Sequence, residues 1–329
     1  MASRFQISGI PEAPFMTDPL APTAPLSFAI IGAGAVGCYF GAMLARAGHA
    51  VTLIGRPHHV QAIETHGVRL QTATEDTFIS LRASTQPGAI QGADVVFLCV
   101  KSGDTETAAR EIKPYVDPDT LLLTLQNGVD NDARARAVLG TACSVAAAVV
   151  YVATAMVGPG HVRHYGRGDL VLAPSPLSST VATQLQAAGI PTQVSDNVRG
   201  ALWAKLIINS AVNALSALLQ QPYGWLMQQP GAAEVVQDIV TECLAVARAD
   251  GVQIPGDIHA ALRNIVATMP GQLSSTAQDI ARGKPTEIEH LNGYVVQRGT
   301  QLGIATPVNR TLQVLVRMME SRGASQRQS

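Results

Sequence analysis

The hydrophobic pattern changes once along the chain. Up to residue 196, short apolar runs alternate with helix-like segments, which is typical of strands buried in a parallel sheet and of the helices that cover them. From residue 197 onward, apolar positions recur at helical spacing and are interrupted mainly where proline and glycine cluster. The pattern predicts an α/β domain over residues 27–196, followed by an all-helical domain over residues 197–329.

Individual elements follow from the same pattern. Strands are expected at residues 28–31, 50–54, 67–70, 77–81, 93–100, 120–125, 144–157, 161–166, 169–173 and 192–195. The runs at 67–70 and 77–81 predict a hairpin, and the turn at 158–160 predicts an antiparallel extension of the sheet. Helices are expected at residues 38–47, 105–115, 178–188, 198–219, 231–250, 257–268, 274–282, 287–302 and 307–320.

Residues 1–26 have a different composition from the rest of the chain. They contain five prolines and almost no hydrophobic periodicity. A secretory signal needs a basic start and a continuous apolar core, and this segment has neither. We interpret it as a flexible proline-rich tail.

Composition and charge narrow the functional classes. The chain of 329 residues is 47% hydrophobic and 14% charged, which favours two well-buried cores. The net charge of -1 gives no basic field for nucleic acid or an anionic membrane, and no apolar run is expected to span a bilayer. Cys38, Cys99, Cys143 and Cys243 lack metal-ligand spacing. They predict reduced core thiols in a cytoplasmic protein without a metal site.

A glycine loop, defined here as residues 32–37, joins the first strand to the first helix. It reads Gly32, Ala33, Gly34, Ala35, Val36 and Gly37. In this setting the first glycine permits a tight turn, the second lets backbone approach a pyrophosphate, and the third lets helix and strand pack closely. The loop predicts a Rossmann-type dinucleotide-binding domain. The alternative is an ordinary glycine-rich turn.

Three polar residues follow the carboxyl ends of predicted strands, where α/β folds bind ligands. Arg56 follows the second strand, at the place where an NAD site would carry an acidic residue. Because an arginine can pair with a 2′-phosphate, this position favours NADP(H), although it could also be a solvated side chain. Lys101 and Asn127 follow the strands at 93–100 and 120–125 and could contact nicotinamide or substrate. Asn127-Gly128 is equally typical of a simple turn.

The helix predicted at 198–219 carries Lys205, Asn209 and Asn213 at i, i+4 and i+8, on one face of an otherwise apolar segment. Such a face predicts the lining of a polar cavity, and the alternative is a solvent-facing stripe. Glu287 lies at the predicted start of the helix at 287–302, where the helix dipole favours an ionised carboxylate. It could be a dipole partner alone. A cleft between the two domains would bring a substrate to the cofactor.

From residue 27 to 320, these motifs in this order resemble the ketopantoate reductase family. The resemblance rests on the glycine loop, Arg56, Lys101, Gln126-Asn127-Gly128, Trp203-Ala204-Lys205 with Asn209 and Asn213, residues 275–279, Thr286-Glu287-Ile288 and Asn292-Gly293. It implies that NADPH reduces a 2-keto acid, with Lys205 as general acid and Glu287 orienting the substrate or the lysine. It further implies that Asn209, Asn213 and Ser275 bind the substrate, with Lys101 and Asn127 between cofactor and substrate.

The resemblance leads to a functional hypothesis and two alternatives. The hypothesis is reduction of 2-dehydropantoate to pantoate, a step towards pantothenate and coenzyme A. The alternatives are a reductase of another 2-keto acid and a non-catalytic NADP-binding sensor. The tail at 1–26 and the acid Asp130, close after Asn127, depart from the family pattern without removing a catalytic group. The apolar last helices are compatible with a homodimer.

Overall fold

The computed structural model describes residues 25–325, which form two compact units. The sheet unit comprises residues 25–126 and 130–198, and the helical unit comprises residues 127–129 and 199–325. The tail predicted at residues 1–26 lies outside the described residues apart from its last two.

The sheet unit is built on a mixed sheet of ten strands. They are β1 (Ser27–Ile31), β2 (Ala50–Ile54), β3 (Val68–Gln71), β4 (Asp76–Ile79), β5 (Arg82–Ser84), β6 (Val95–Leu98), β7 (Leu121–Thr124), β8 (Ser144–Gly158), β9 (His161–Leu172) and β10 (Thr192–Val194). Their order is β4-β3-β9-β8-β7-β6-β1-β2-β5, and β10 also pairs with β9. The short edge strand β5 was not expected from the sequence.

Pairing directions agree with the hydrophobic pattern. Strands β5, β2, β1, β6 and β7 and the first part of β8 are mutually parallel. The β8–β9 and β3–β4 pairs are antiparallel, as the turn signals predict. The α/β prediction for this part of the chain is confirmed.

Helices cover both faces of the sheet because β1 is apolar on both sides. The helices are α1 (Ala35–Arg46), α2 (Pro57–His66), α3 (Thr105–Ile112), α4 (Asn131–Leu139) and α5 (Ser178–Ala187). Phe28 and Ile30 belong to a core shared with α1, α2 and α5. Ala29 and Ile31 belong to a second core shared with α3 and α4. This alternation explains why the strand reads as a continuous apolar run.

The helical unit confirms the all-helical prediction, with two local differences. Its helices are α6 (Val198–Leu219), α7 (Tyr223–Leu226), α8 (Ala232–Ala249), α9 (Ile258–Thr268), α10 (Ser275–Ala281), α11 (Asn292–Leu302) and α12 (Pro307–Ser325). The short α7 forms where only a break was expected. The helix expected to begin at Glu287 is wrong at its start, because Ile288–His290 forms a single 3₁₀ turn and α11 begins at Asn292.

Two carboxylates hold the helical unit together. The Asp250 side chain, only 2% exposed, pairs with Arg199 at the start of α6 and with Arg298 of α11. Glu242 of α8 accepts hydrogen bonds from the backbone N–H groups of Val308 and Asn309, at 2.8 and 2.9 Å. It thereby satisfies donors that the first turn of α12 leaves unpaired.

One helix has the length and composition of a membrane span, although no such run was expected from the sequence. Within residues 25–325, helix α6 is long and apolar enough to cross a bilayer by length and composition. However, 67% of its apolar window is buried inside the protein, which is also typical of a core helix.

The burial of the cysteines leads to a prediction. Burial raises the pKa of Cys143 to about 11 and the pKa values of Cys38 and Cys243 to about 12. At pH 8 these thiols are almost entirely protonated, and the thiolate is the reactive form. Burial also raises the pKa of Cys99 well above its ordinary value, although part of its surface is exposed. We expect native protein treated with a disulfide reagent such as DTNB to release less than one equivalent of thiolate rapidly.

The control is the same titration in guanidinium chloride, where all four free cysteines should react within minutes. Rapid reaction of one or more thiols in the native protein would contradict the raised pKa values.

Candidate functional site

The glycine loop is held so tightly that only glycine fits at two of its positions. Gly32 has φ +112°, and a Cβ there would lie 2.8 Å from the Cys99 carbonyl carbon. A Cβ at Gly37 would lie 2.0 Å from the Gly32 oxygen. The loop is therefore fixed by the close approach of α1 to the end of β1.

Gly34 differs from these two glycines because the space around it is open. Among residues 25–325, no atom beyond its chain neighbours and the backbone of α1 lies within 4 Å of a Cβ built there. Gly34 is also the N-cap of α1, which has neither a side-chain cap nor an acidic residue in its first turn. Open space beside an uncapped helix N-terminus suits an anionic ligand such as a pyrophosphate. The loop therefore fits the dinucleotide that the sequence predicts.

Arg56 lies where the sequence places it, directly beyond β2. It is exposed and is the N-cap residue of α2, with Pro57 at the first helical position. The first turn of α2 holds no acidic residue. A cationic side chain at a helix N-terminus forms an electropositive corner of the sheet unit.

Lys101 and Gln126 follow adjacent parallel strands, and a cluster of polar side chains ties these strand ends together. Lys101 is exposed, whereas Gln126 is buried and donates to Thr105 Oγ1 at 2.8 Å. The Thr105 hydroxyl lies 2.9 Å from the Ser102 carbonyl oxygen and 3.0 Å from Asn131 Oδ1. Residues adjacent to Lys101 and Asn127 are thus joined by hydrogen bonds within the sheet unit.

Arg134, on α4, adds a second connection that sequence reasoning missed. Its guanidinium donates to the Ser102 carbonyl at 2.8 Å and to both carboxylate oxygens of Glu106. It also lies 3.8 Å from Asp130, the acid that departs from the family pattern. The i, i+4 spacing of Asp130 and Arg134 is the sequence signal that could have identified this pair.

Helix α6 carries the polar face that the sequence predicts. Of its 22 residues, only Arg199 and Lys205 are charged. Lys205 and Asn209 are half-buried, and Asn213 is 3% exposed. No described side chain or backbone group hydrogen-bonds to the Asn209 side chain between residues 25 and 325. An amide left available on a largely buried helix is suited to a ligand.

Asn213 is held from two directions. The Tyr223 hydroxyl donates to Asn213 Oδ1 at 3.1 Å, and the Ser274 hydroxyl donates to the Asn213 carbonyl at 3.1 Å. Tyr223 lies in the Gln-Pro-Tyr-Gly segment, which the sequence marks as a helix break. Its contribution could not be found from spacing along α6.

Glu287 is brought into contact with Asn127, although 160 positions separate them in sequence. Asn127 Nδ2 donates to Glu287 Oε2 at 3.0 Å, and Glu287 is 7% exposed. Five residues later, Asn292 Nδ2 donates to the Ser210 carbonyl of α6 at 3.1 Å. The helical unit therefore holds a buried carboxylate in a segment anchored to α6.

Ser275 is exposed and is the first residue of α10. The preceding residue, Ser274, is buried and caps the helix by accepting the Ala277 N–H at 3.0 Å. Of the two adjacent serines, Ser274 therefore caps the helix, whereas Ser275 is exposed beside it. A run of two serines does not reveal which one is the cap.

Replacing Gly34 by alanine tests the glycine loop as a binding surface. Because the added methyl group meets no protein atom, Gly34→Ala should unfold at the parent temperature. The methyl group would occupy the space that a pyrophosphate needs, so we expect the Kd for a reduced nicotinamide dinucleotide, measured by its fluorescence, to rise about tenfold or more. In Gly37→Ala, the matched contrast, thermal stability should fall as well. Unchanged affinity in Gly34→Ala would contradict this role.

The chain is similar to known proteins along most of its length. A 2-dehydropantoate 2-reductase from Halobacterium salinarum is 35% identical over 304 residues, which cover 89% of this chain and 98% of that protein. The crystal structure of a PanE/ApbA family ketopantoate reductase from Ralstonia eutropha JMP134 is 56% identical with a TM-score of 0.88, covering 91% of this chain and 100% of that chain.

A ternary structure of D-mandelate dehydrogenase with NADH and anilino(oxo)acetate is 26% identical with a TM-score of 0.84, covering 91% of this chain and 100% of that chain. The ketopantoate reductase PanE/ApbA family model matches residues 28–176, and the model of that family's C-terminal part matches residues 197–320. With both halves matched in order, the chain belongs to the ketopantoate reductase family.

Proposed function

We propose that this protein catalyses the NADPH-dependent reduction of 2-dehydropantoate to pantoate. The observation that carries the proposal is the polar face of α6, where Lys205, Asn209 and Asn213 lie in line on a largely buried helix. The curated relatives from Halobacterium salinarum and Pyrococcus horikoshii, at 35% and 31% identity, are both 2-dehydropantoate 2-reductases. They support this choice of substrate.

The side chains of the helical unit suit the chemistry of a carbonyl reduction. The bound reduced nicotinamide supplies a hydride to the C2 carbonyl carbon, and the carbonyl oxygen then needs a proton. Lys205 stabilises the developing negative charge with its ammonium group and donates that proton, so the product is the 2-hydroxy acid. The amide groups of Asn209 and Asn213 and the Ser275 hydroxyl hold the hydroxyl and carboxylate of the substrate.

Glu287 orients the substrate hydroxyl or the lysine, and it does so as part of a pair. Its carboxylate is buried and accepts the Asn127 amide at 3.0 Å, which limits the positions it can take. A group held in this way loses little freedom when substrate binds. Lys101, which is exposed three residues beyond β6, contacts the cofactor or the substrate carboxylate in this proposal.

The preference for NADPH rests on Arg56. Its guanidinium is exposed at the end of β2, and the first turn of α2 lacks the acidic residue that would bind a ribose 2′-hydroxyl. An arginine at this place pairs with a 2′-phosphate. The glycine loop holds the pyrophosphate common to both nicotinamide dinucleotides.

A second candidate is the reduction of a different 2-keto acid with either cofactor. It is favoured by the similarity to D-mandelate dehydrogenase, whose structure contains NADH and an anilino-substituted oxoacetate. Steady-state rates across 2-dehydropantoate, branched 2-keto acids and aryl 2-keto acids separate the two candidates. A kcat/KM for 2-dehydropantoate no higher than for the others would overturn the first.

Replacing Lys205 tests the chemical step. Without its ammonium group the alkoxide is neither stabilised nor protonated, so Lys205→Ala should lower kcat about 100- to 10,000-fold. The Kd for NADPH, measured by fluorescence, should stay within about twofold of the parent value because the residue lies outside the glycine loop. NADPH oxidation by Lys205→Ala at the parent rate would contradict the role of Lys205 as general acid. A parent protein that binds NADPH but oxidises it with no 2-keto acid would favour a non-catalytic NADP-binding sensor.

Replacing Arg56 tests the cofactor preference. Arg56→Ala should raise KM for NADPH about tenfold or more, because the 2′-phosphate loses its charge partner, and should leave KM for NADH nearly unchanged. Arg46→Ala is the matched control, because Arg46 is at the far end of α1 and pairs with Glu75. An equal effect on both cofactors would contradict a role in 2′-phosphate binding.

A further inference from the structure

We propose that Tyr223 is a positioning residue, which fixes the Asn213 amide so that its two N–H donors are presented to the carboxylate of a 2-keto acid. The inference rests on the proposed function, because it assigns an orientation to a side chain of the substrate site. It adds a residue of α7 to a site otherwise assigned to residues of α6, α10, Glu287 and strand-end loops.

The hydrogen-bond pattern around Asn213 carries the inference. Its Oδ1 accepts the Tyr223 hydroxyl at 3.1 Å, and both residues are buried, with 3% and 8% of their surfaces exposed. Its Nδ2 has no hydrogen-bond partner within residues 25–325 and is not itself fully enclosed. An amide nitrogen in this state offers two donors to an incoming acceptor.

The tyrosine selects one of the two orientations of the amide. If the amide were flipped, Nδ2 would donate to the phenolic oxygen, and the phenolic hydrogen would lose its acceptor in a buried setting. The flipped amide would also present Oδ1, an acceptor, to a carboxylate. Burial raises the pKa of Tyr223 above its ordinary value, so the phenol keeps the hydrogen that makes the selection. Donors facing outward favour an anionic acceptor as ligand.

Tyr223 is itself fixed in place. Its backbone N–H donates to the Gln272 carbonyl at 3.1 Å, and the Gly224 N–H donates to the Pro270 carbonyl at 2.8 Å. A Cβ at Gly224 would lie 2.7 Å from the Pro270 Cβ, so the two segments are in close contact. The Ser274 hydroxyl holds the Asn213 backbone at 3.1 Å. The phenol and the amide therefore approach each other from two anchored segments.

The test is a double-mutant cycle with Tyr223→Phe and Asn213→Ala, measured as KM and kcat for the 2-keto acid that the parent protein reduces best. Tyr223→Phe removes one oxygen atom and keeps the ring, so thermal stability reports any general loss of packing. We expect it to raise KM for the keto acid about tenfold, with kcat and the Kd for NADPH within about twofold of the parent values. In the Asn213→Ala background, the same change should have no further effect on KM.

Two further variants complete the experiment. Tyr151→Phe is the control, because it removes a phenolic oxygen from β8 in the sheet unit. It should leave KM for the keto acid and the Kd for NADPH unchanged. Asn213→Asp, which keeps an acceptor for Tyr223 but replaces the N–H donors by an oxygen, should raise KM for the keto acid more than Tyr223→Phe does.

The possible results distinguish failure of the positioning role of Tyr223 from failure of the proposed function. A parental KM in Tyr223→Phe, or an equal increase in the parent and Asn213→Ala backgrounds, would overturn the positioning role while leaving the proposed function intact. A parent protein that binds NADPH but reduces no 2-keto acid in the panel would overturn the proposed function and the inference with it.

Discussion

Hydrogen bonds to polar groups of the buried helix α6 connect separate segments of the helical unit. Helix α6 is apolar on most of its surface, yet it carries Asn213 and the carbonyl of Ser210 in the interior. These groups are reached by Tyr223, Ser274 and Asn292, which lie in separate segments of the chain. Each partner comes from a different segment of the chain. The same three hydrogen bonds therefore satisfy polar groups of α6 and hold the neighbouring segments against it.

In the sheet unit, the corresponding constraint is the close contact between the backbone of α1 and the backbone at the end of β1. The contact between Gly37 and Gly32 excludes any side chain, and it brings the N-terminus of α1 to the end of β1. At the neighbouring strand ends, the Arg134 guanidinium joins Ser102 to Glu106 and lies near Asp130. The strand ends that carry candidate cofactor-binding residues are therefore held by backbone packing on one side and by charged hydrogen bonds on the other.

Sequence reasoning succeeded where the physical signal is local. The glycine loop between an apolar run and a helix, and the spacing of Lys205, Asn209 and Asn213, are readable because periodicity and turn chemistry act over a few residues. It failed where a partner distant in sequence decides the outcome. The contact of Glu287 with Asn127 joins positions 160 residues apart and could not be found from local pattern. The helix expected from Glu287 does not begin there, because the backbone of Leu291 leaves helical geometry (φ -111°, ψ -106°) and α11 begins at Asn292. Tyr223 lies in a segment whose proline and glycine predict only a helix break. The role of its hydroxyl is visible only in the hydrogen bond to Asn213, ten residues earlier.

The division of the chain into units has a consequence for how such proteins diverge. The glycine loop, Arg56 and Lys101 belong to the sheet unit, whereas Lys205 and Glu287 belong to the helical unit. Asn127 follows a strand of the sheet but groups with the helices. Under the proposed function, substitutions confined to the helical unit would alter the acid that is accepted while the sheet unit keeps its sequence. The similarity in fold to both a ketopantoate reductase and a D-mandelate dehydrogenase is what such a separation allows.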